Sequence, residues 1–200
     1  MKKSIMWLLV CVFVVFGVRA QSESYCDLTD RRCISEVTIV PKLNRIPLTL
    51  ATRCYITLAR NTEIGIHFKP KSVHYYLADE CRKKFGYQAF VGGTVMGTVD
   101  IPHLFTLNFL PEFNAEKEGV RFLKNISFEI SKDNKASSTV VLYCMLSGAS
   151  DLRTVEFEPT AGAQTNLAKV CQDAFGESAT LDRAVFGVGQ LKDLFTAYFW

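Results

Sequence analysis

Histidine and tryptophan are scarce in this 200-residue chain, which has three of the first and two of the second. The sequence also lacks a nucleophile elbow, a zincin motif, a phosphate-binding loop and a paired-carboxylate motif. Beyond the first twenty residues, no apolar run approaches the ~20 residues needed to cross a bilayer. These absences argue against the common hydrolases, against P-loop proteins and against a membrane-spanning protein.

The first twenty residues have the pattern of a secretory signal peptide. Lys2 and Lys3 precede an apolar run over 5–18, and the small residues Val18 and Ala20 occupy the positions that signal peptidase reads. We expect cleavage after Ala20. The mature protein is then predicted to be secreted into an oxidising, extracellular environment.

Removal of residues 1–20 would leave a chain with no formal net charge. The full chain carries +3, and Lys2, Lys3 and Arg19 account for all of it. Residues 21–110 hold 11 Lys and Arg against 8 Asp and Glu, whereas residues 111–200 hold 9 against 12. A neutral protein gives no support for a nucleic-acid or membrane-surface partner. The opposite charges of the halves, +3 and −3, favour packing of one half against the other.

The two halves are related by an internal duplication. At an offset of 90 residues, Cys54 aligns with Cys144 and Cys81 with Cys171, and 14 of the 57 positions over 54–110 are identical. Such regularity indicates a duplicated module. We therefore divide the chain into a signal peptide (1–20), a first repeat (21–110) and a second repeat (111–200).

Six cysteines remain after cleavage, and an even number in a secreted chain is typical of a disulfide framework. Each repeat holds one equivalent pair, which predicts the bridges Cys54–Cys81 and Cys144–Cys171. Cys26 and Cys33 have no counterparts in the second repeat and are predicted to pair with each other. If every mature cysteine is bridged, we expect neither a cysteine nucleophile nor a thiolate metal site.

Each repeat shows a hairpin pattern followed by a helix pattern. Alternating apolar residues predict a β-hairpin, and apolar residues at helical spacing predict helices over 72–85 and 161–175. Gly86 and Gly176 stand where a left-handed helix C-cap belongs. Each bridge would then join a hairpin strand to the inner face of a helix.

A one-sided apolar stripe over 101–109 and again over 191–199 predicts a second amphipathic helix in each repeat. These patterns together predict an α+β fold. We expect two disulfide-bonded modules of about 90 residues, each a β-hairpin with amphipathic helices, packed as a pseudo-dimer.

Basic residues surround the first predicted helix and are the candidate binding residues for an anionic group. The set comprises Lys69, Lys71, His74, Arg82, Lys83 and Lys84. The alternative is an ordinary solvated helix end, because cations near a helix C-terminus also interact favourably with its dipole.

All three histidines, His67, His74 and His103, lie in the first repeat. Because the second repeat keeps the same framework without histidine, the duplicated module does not need one. We therefore expect no catalytic histidine, no metal site and no cofactor. Asn125 opens the only N-glycosylation sequon, and in a secreted chain we expect it to carry a glycan.

The sequence predicts a secreted, non-enzymatic glycoprotein that acts by binding, with another extracellular protein as the favoured partner. A carrier of a small apolar ligand is the first alternative. A secreted hydrolase that uses the histidines of the first repeat is the second. An apolar cavity would favour the carrier, whereas an exposed aromatic patch would favour protein binding.

Overall fold

The computed structural model describes residues 33–42, 46–56, 59–113, 121–146 and 152–200. The predicted signal peptide and Cys26 lie outside these residues. Within them the chain is mostly β-sheet, with two nine-residue helices, α1 (Leu77–Phe85) and α2 (Leu167–Phe175). Neither helix is long and apolar enough to span a membrane.

Twelve strands are described, six before residue 114 and six after residue 120. The first six are β1 (Val37–Pro41), β2 (Leu48–Ile56), β3 (Ala59–Phe68), β4 (Tyr75–Tyr76), β5 (Phe90–Thr98) and β6 (Phe105–Phe113). The other six are β7 (Arg121–Ile130), β8 (Ser138–Met145), β9 (Leu152–Phe157), β10 (Gln164–Asn166), β11 (Thr180–Val188) and β12 (Leu191–Phe199).

The strands form two six-stranded antiparallel sheets, and each sheet contains strands from both repeats. Sheet A has the order β10-β7-β6-β5-β2-β3, and sheet B has the order β4-β1-β12-β11-β8-β9. Strands β7 and β10 of the second repeat therefore complete the sheet of the first repeat, while β1 and β4 of the first repeat complete the other. The exchange is reciprocal, as in a domain-swapped dimer contained in one chain.

This architecture corrects the predicted α+β fold, because the protein is a β-sandwich-like structure with only two short helices. The repeats are also not two modules in side-by-side contact, since backbone hydrogen bonds of β1 with β12 and of β6 with β7 join them. The boundary that we placed between residues 110 and 111 falls inside β6.

The two predicted terminal helices are strands, β6 and β12. Their sequences contain two periodicities at once. Phe195, Ala197 and Phe199 alternate toward the core, while Tyr198 on the opposite face adds the apolar residue that completes a helical stripe.

The helices α1 and α2 exist, but they begin at Leu77 and Leu167, later than predicted, because β4 and β10 occupy the residues in front of them.

Four phenylalanines form the centre of the sandwich and are fully buried. Phe105 and Phe128 of sheet A pack on Phe186 of sheet B with ring centroids 5.6 and 5.1 Å apart, and Phe105 meets Phe195 edge-on at 6.4 Å. Phe105 and Phe195 are equivalent in the two repeats at the offset of 90. The pseudo-twofold relationship of the halves therefore passes through the aromatic core.

Both helices are held to the sheets by disulfide bonds. Cys54 of β2 is bonded to Cys81 of α1, and Cys144 of β8 is bonded to Cys171 of α2, with Cα atoms 5.7 Å apart in each bridge. All four cysteines are fully buried. Cys33 is also disulfide-bonded. Since Cys26 lies outside the described residues, its pairing with Cys33 stays a prediction.

Candidate functional site

The two sheets have outer faces of different chemistry, and the strand register identifies which positions correspond. One row of paired residues crosses sheet B from β4 to β9: Tyr76, Thr38, Tyr198, Arg183, Tyr143 and Thr154. The equivalent row crosses sheet A from β10 to β3: Asn166, Ser127, Asn108, Gly93, Arg53 and Gly65. Aromatic side chains on sheet B thus replace polar residues on sheet A.

The rings on sheet B form a continuous layer, which we call the aromatic face and define by His74, Tyr76, Tyr143, Arg183, Tyr198 and Trp200. The ring of His74 stacks on Tyr76 and on Tyr198, with centroids 6.2 Å apart in both pairs. Tyr198 in turn stacks on Trp200 at 6.2 Å and an interplanar angle of 15°. Tyr76 is 47% exposed and Trp200 is 63% exposed, so the layer is open to solvent.

Arg183 places a positive charge between the rings. Its Cζ atom lies 4.0 Å from the centroid of Tyr143 and 5.9 Å from that of Tyr198, within the range of cation–π attraction. A β-bulge between Leu181 and Arg183 inserts Asp182, whose carboxylate lies 3.9 Å from Arg183 Nε. Burial raises the pKa of Asp182, and the charge of Arg183 opposes that shift.

Trp200 is fixed in place by polar contacts at both ends of the residue. Its Nε1 donates to Thr38 Oγ1 at 3.2 Å, and its carbonyl oxygen accepts from Ser35 N at 2.6 Å. The indole therefore lies over β1 as part of the outer face. A ring held this way loses little further conformational entropy on contact with a partner.

A second feature is an open cleft of about 490 Å³ beside β2, β3 and the turn between β5 and β6. Its lining is mainly apolar, and His67, Lys69 and His103 contribute the ionisable groups. None of the described lining residues is a carboxylate or a cysteine. The cleft brings together two histidines whose proximity the sequence alone did not indicate.

The six candidate binding residues fall in three different places. Lys69 lines the cleft, and Lys71 is exposed two residues further on. His74 belongs to the aromatic face. Arg82, Lys83 and Lys84 form the last turn of α1 and are exposed. The predicted single anion-binding face around the helix is therefore divided.

The basic end of α1 is partly neutralised by its own helix. Lys83 Nζ lies 2.6 Å from the carboxylate of Asp79 and 3.3 Å from that of Glu80, and these hydrogen bonds raise the pKa of Lys83. Arg82 acts electrostatically on Glu36 at the helix N-terminus. These contacts favour the interpretation of the helix end as a solvated surface.

The remaining candidates occupy positions that the sequence did not reveal. Asn125 lies in β7 opposite Leu110, and the alternation of the strand places it on the outer side of sheet A with Ser127.

Within the described chain, no group of three or more His, Cys, Asp or Glu side chains could hold a metal ion. The aromatic face was missed because its residues, four in strands and two beside β4 and β12, are spread over positions 74 to 200.

Comparison with known proteins finds no significant match to a protein-family model, a curated protein or a solved structure.

Proposed function

We propose that this protein is an extracellular binding protein and that the aromatic face of sheet B docks another protein. The observation that carries the proposal is the layer of tyrosine, tryptophan, histidine and arginine on the outer face of sheet B, which is open to solvent at Tyr76 and Trp200. Tyr, Trp and Arg dominate the energetically important centres of protein–protein interfaces. Secretion is part of the proposal, because disulfide bonds form and persist in oxidising environments such as the extracellular space.

The comparison of the two sheets supports a functional origin for the aromatic face. Both sheets have equivalent bridges, and at the positions of Tyr76, Tyr198 and Tyr143 sheet A has the polar residues Asn166, Asn108 and Arg53, so the duplicated fold does not require aromatic residues at these points. At the point where sheet B has Tyr198, sheet A has Asn108 hydrogen-bonded to the guanidinium of Arg53. A glycan at Asn125 would stand on sheet A and leave sheet B uncovered.

The partner that fits this face is a protein surface with an apolar area and a hydrogen-bond acceptor opposite Arg183. The guanidinium lies against the rings of Tyr143 and Tyr198, and the side chain of Arg183 is 32% exposed, so part of it is open to an acceptor. Its Nε atom is buried and makes no hydrogen bond to any described residue. Because this atom is buried and faces the Asp182 carboxylate at 3.9 Å, an acceptor from a partner would bind the exposed part of the guanidinium.

The test compares matched truncations at equivalent points of the two sheets. Wild type, Tyr198→Ala and the control Asn108→Ala are used as baits in extracellular fluid, and a captured protein is then purified. Its affinity for the three baits is measured by calorimetry after circular dichroism has established that each is folded. We expect Tyr198→Ala to weaken binding by about tenfold or more, as at an interface centre, and Asn108→Ala to leave it nearly unchanged.

Two outcomes would contradict the proposal. One is equal affinity of all three proteins for every purified partner. The other is sedimentation of the wild type as a dimer that Tyr198→Ala dissociates, since the aromatic face would then bind a second copy of the chain.

The carrier of a small apolar ligand is the second candidate function, and the cleft is the observation that favours it. Its volume lies within the range of about 300–1,000 Å³ that small-molecule sites occupy. We do not propose the hydrolase. A catalytic histidine needs an orienting partner and a nucleophile or water in reach, and the described lining of the cleft offers no carboxylate.

A further inference from the structure

We infer that the cleft of the first repeat binds a small amphipathic anion, with its apolar body against the wall of the cleft and its carboxylate at His67, Lys69 and His103. This inference rests on the carrier function suggested for the cleft and is independent of the aromatic face.

The polar side of the cleft has a chemistry that the second repeat reverses. Strand register pairs His67 with Ala51, and at the equivalent place Glu156 pairs with Val141. The same register places Glu158 at the position of Lys69, and the offset of 90 residues places Asp193 at that of His103. Three basic side chains of the first repeat thus correspond to three acidic side chains at the equivalent positions of the second repeat.

The basic groups of the cleft are available to a ligand, unlike Asp193, the acidic counterpart of His103. Asp193 forms an ion pair with Lys42 and accepts a hydrogen bond from Thr196. Lys69 forms no ion pair with a described residue, and neither histidine does. An anion in the cleft would therefore gain hydrogen bonds to ionisable donors without displacing an internal partner.

The apolar side of the cleft is also specific to the first repeat. Pro47 and Pro102 stand at its rim, where the second repeat has Ser137 and Lys192. Ala51 forms part of the wall where the equivalent residue is the larger Val141. The residues that give this recess its apolar walls and its donors therefore belong to the first repeat and are replaced in the second.

Backbone contacts hold the cleft in its open shape. Val99 N donates to Pro47 O at 3.1 Å, and Thr49 Oγ1 donates to Pro102 O at 3.3 Å. On the other side, the Tyr75 hydroxyl donates to Lys69 O at 3.0 Å. A site fixed before the ligand arrives binds without a large ordering cost.

The experiment uses decanoate as probe, with decanol and acetate as the neutral and the purely polar controls. Titration calorimetry of the full mature chain is expected to show binding of decanoate that is at least tenfold tighter than that of decanol, and no binding of acetate. Lys69→Glu and His103→Asp introduce the residues of the second repeat. Each is expected to weaken decanoate binding tenfold or more, while the reciprocal surface control Glu158→Lys leaves it unchanged.

Nuclear magnetic resonance gives an independent measurement, since the imidazole signals of His67 and His103 should shift with decanoate while those of His74 should not. Equal binding of decanol and decanoate, with no effect of Lys69→Glu, would overturn the anion preference and leave a carrier of neutral ligands. Absence of binding by both probes would overturn the inference and the carrier function together.

Discussion

Glu36 and Asn125 occupy equivalent positions in the two sheets but make different contacts. The equivalence follows from register, since Val37 pairs with Phe199 as Ile126 pairs with Phe109. The Glu36 carboxylate accepts from the backbone N–H groups of Ala78 and Asp79 at 2.8 and 3.2 Å, and so caps α1. The Asn125 Oδ1 atom is buried and accepts no hydrogen bond from a described residue.

Helix α2 uses a local cap instead. Asn166, directly before the helix, accepts from Lys169 N at 3.0 Å, whereas Tyr76 at the same point of α1 provides no side-chain cap. Glu36 therefore caps α1 although it precedes the helix by about forty positions in the sequence. The cap joins α1 to the strand that is exchanged between the sheets.

The capping contact predicts a pH-dependent stability that originates at Glu36. Burial is the main cause that raises the pKa of Glu36 above 4.5, and backbone hydrogen bonds from Ala78, Val37 and Asp79 oppose it. A raised pKa in the folded state means that the folded protein keeps a proton that the unfolded chain has lost. The free energy of unfolding contributed by Glu36 should therefore fall as pH rises from 4.5 through the raised pKa.

Glu36→Gln removes this titration and keeps a hydrogen-bond acceptor. We expect urea unfolding of the variant to show a smaller decline in stability above pH 4.5 than that of the wild type. Identical pH profiles for the two proteins would show that Glu36 does not contribute.

Gly86 and Gly176 are predicted to be intolerant of a side chain. Both follow a helix with φ of 94° and 98° and ψ of 165° and 162°, an extended mirror-image conformation and not the left-handed helical cap that we expected from sequence. Alanine at either position is expected to cost about 1–3 kcal/mol of stability because this region is nearly restricted to glycine. Thermal unfolding measures the effect.

Gly65 provides the control for these substitutions. It lies in an edge strand without a positive φ, and an added Cβ would meet His67 at an ordinary contact distance of 3.6 Å. Gly65→Ala should change stability by less than about 0.5 kcal/mol. Equal effects at Gly65 and Gly86 would contradict the conformational explanation.

The exchanged strands predict that the halves of the protein fold only together. Residues 21–113 and 121–200, expressed separately, would each lack two strands of a six-stranded sheet. Each fragment should expose apolar sheet edges and show no cooperative thermal transition, and a mixture should regain one. A sharp transition in either isolated fragment would show that the exchange is not required for folding.

The sequon at Asn125 is expected to carry a glycan in the secreted protein. Mass spectrometry should find the glycan mass on the peptide that contains Asn125, and Ser127→Ala should abolish it because the sequon then loses its hydroxyl residue. An N-linked glycan is bonded to the Nδ2 atom of asparagine, so the burial of the Asn125 Oδ1 atom does not itself prevent attachment. Recovery of only the unmodified peptide from secreted wild type would refute the prediction.

The duplication made several local features predictable from sequence. The offset of 90 residues identified Cys54, Cys81, Cys144 and Cys171 as two equivalent pairs, and both bridges are present. The hairpin of β2 and β3 and the two helices also arise from patterns within short segments. Periodicity carries such information because neighbouring residues in an element must place their apolar side chains on one face.

The exchange of strands between the repeats and the aromatic face were decided only by the tertiary structure. Pairing of β1 with β12 joins residues more than 150 positions apart, and no local periodicity specifies the partner of a strand. Tyr76 reaches the row of Tyr198 through β1, and Tyr143 reaches it through β11, so the three rings share a face only through strand pairing. The sequence determined the two equivalent bridges. Sheet register determined which side chains meet at the surface, because hydrogen bonds between distant strands position the rows that cross a sheet.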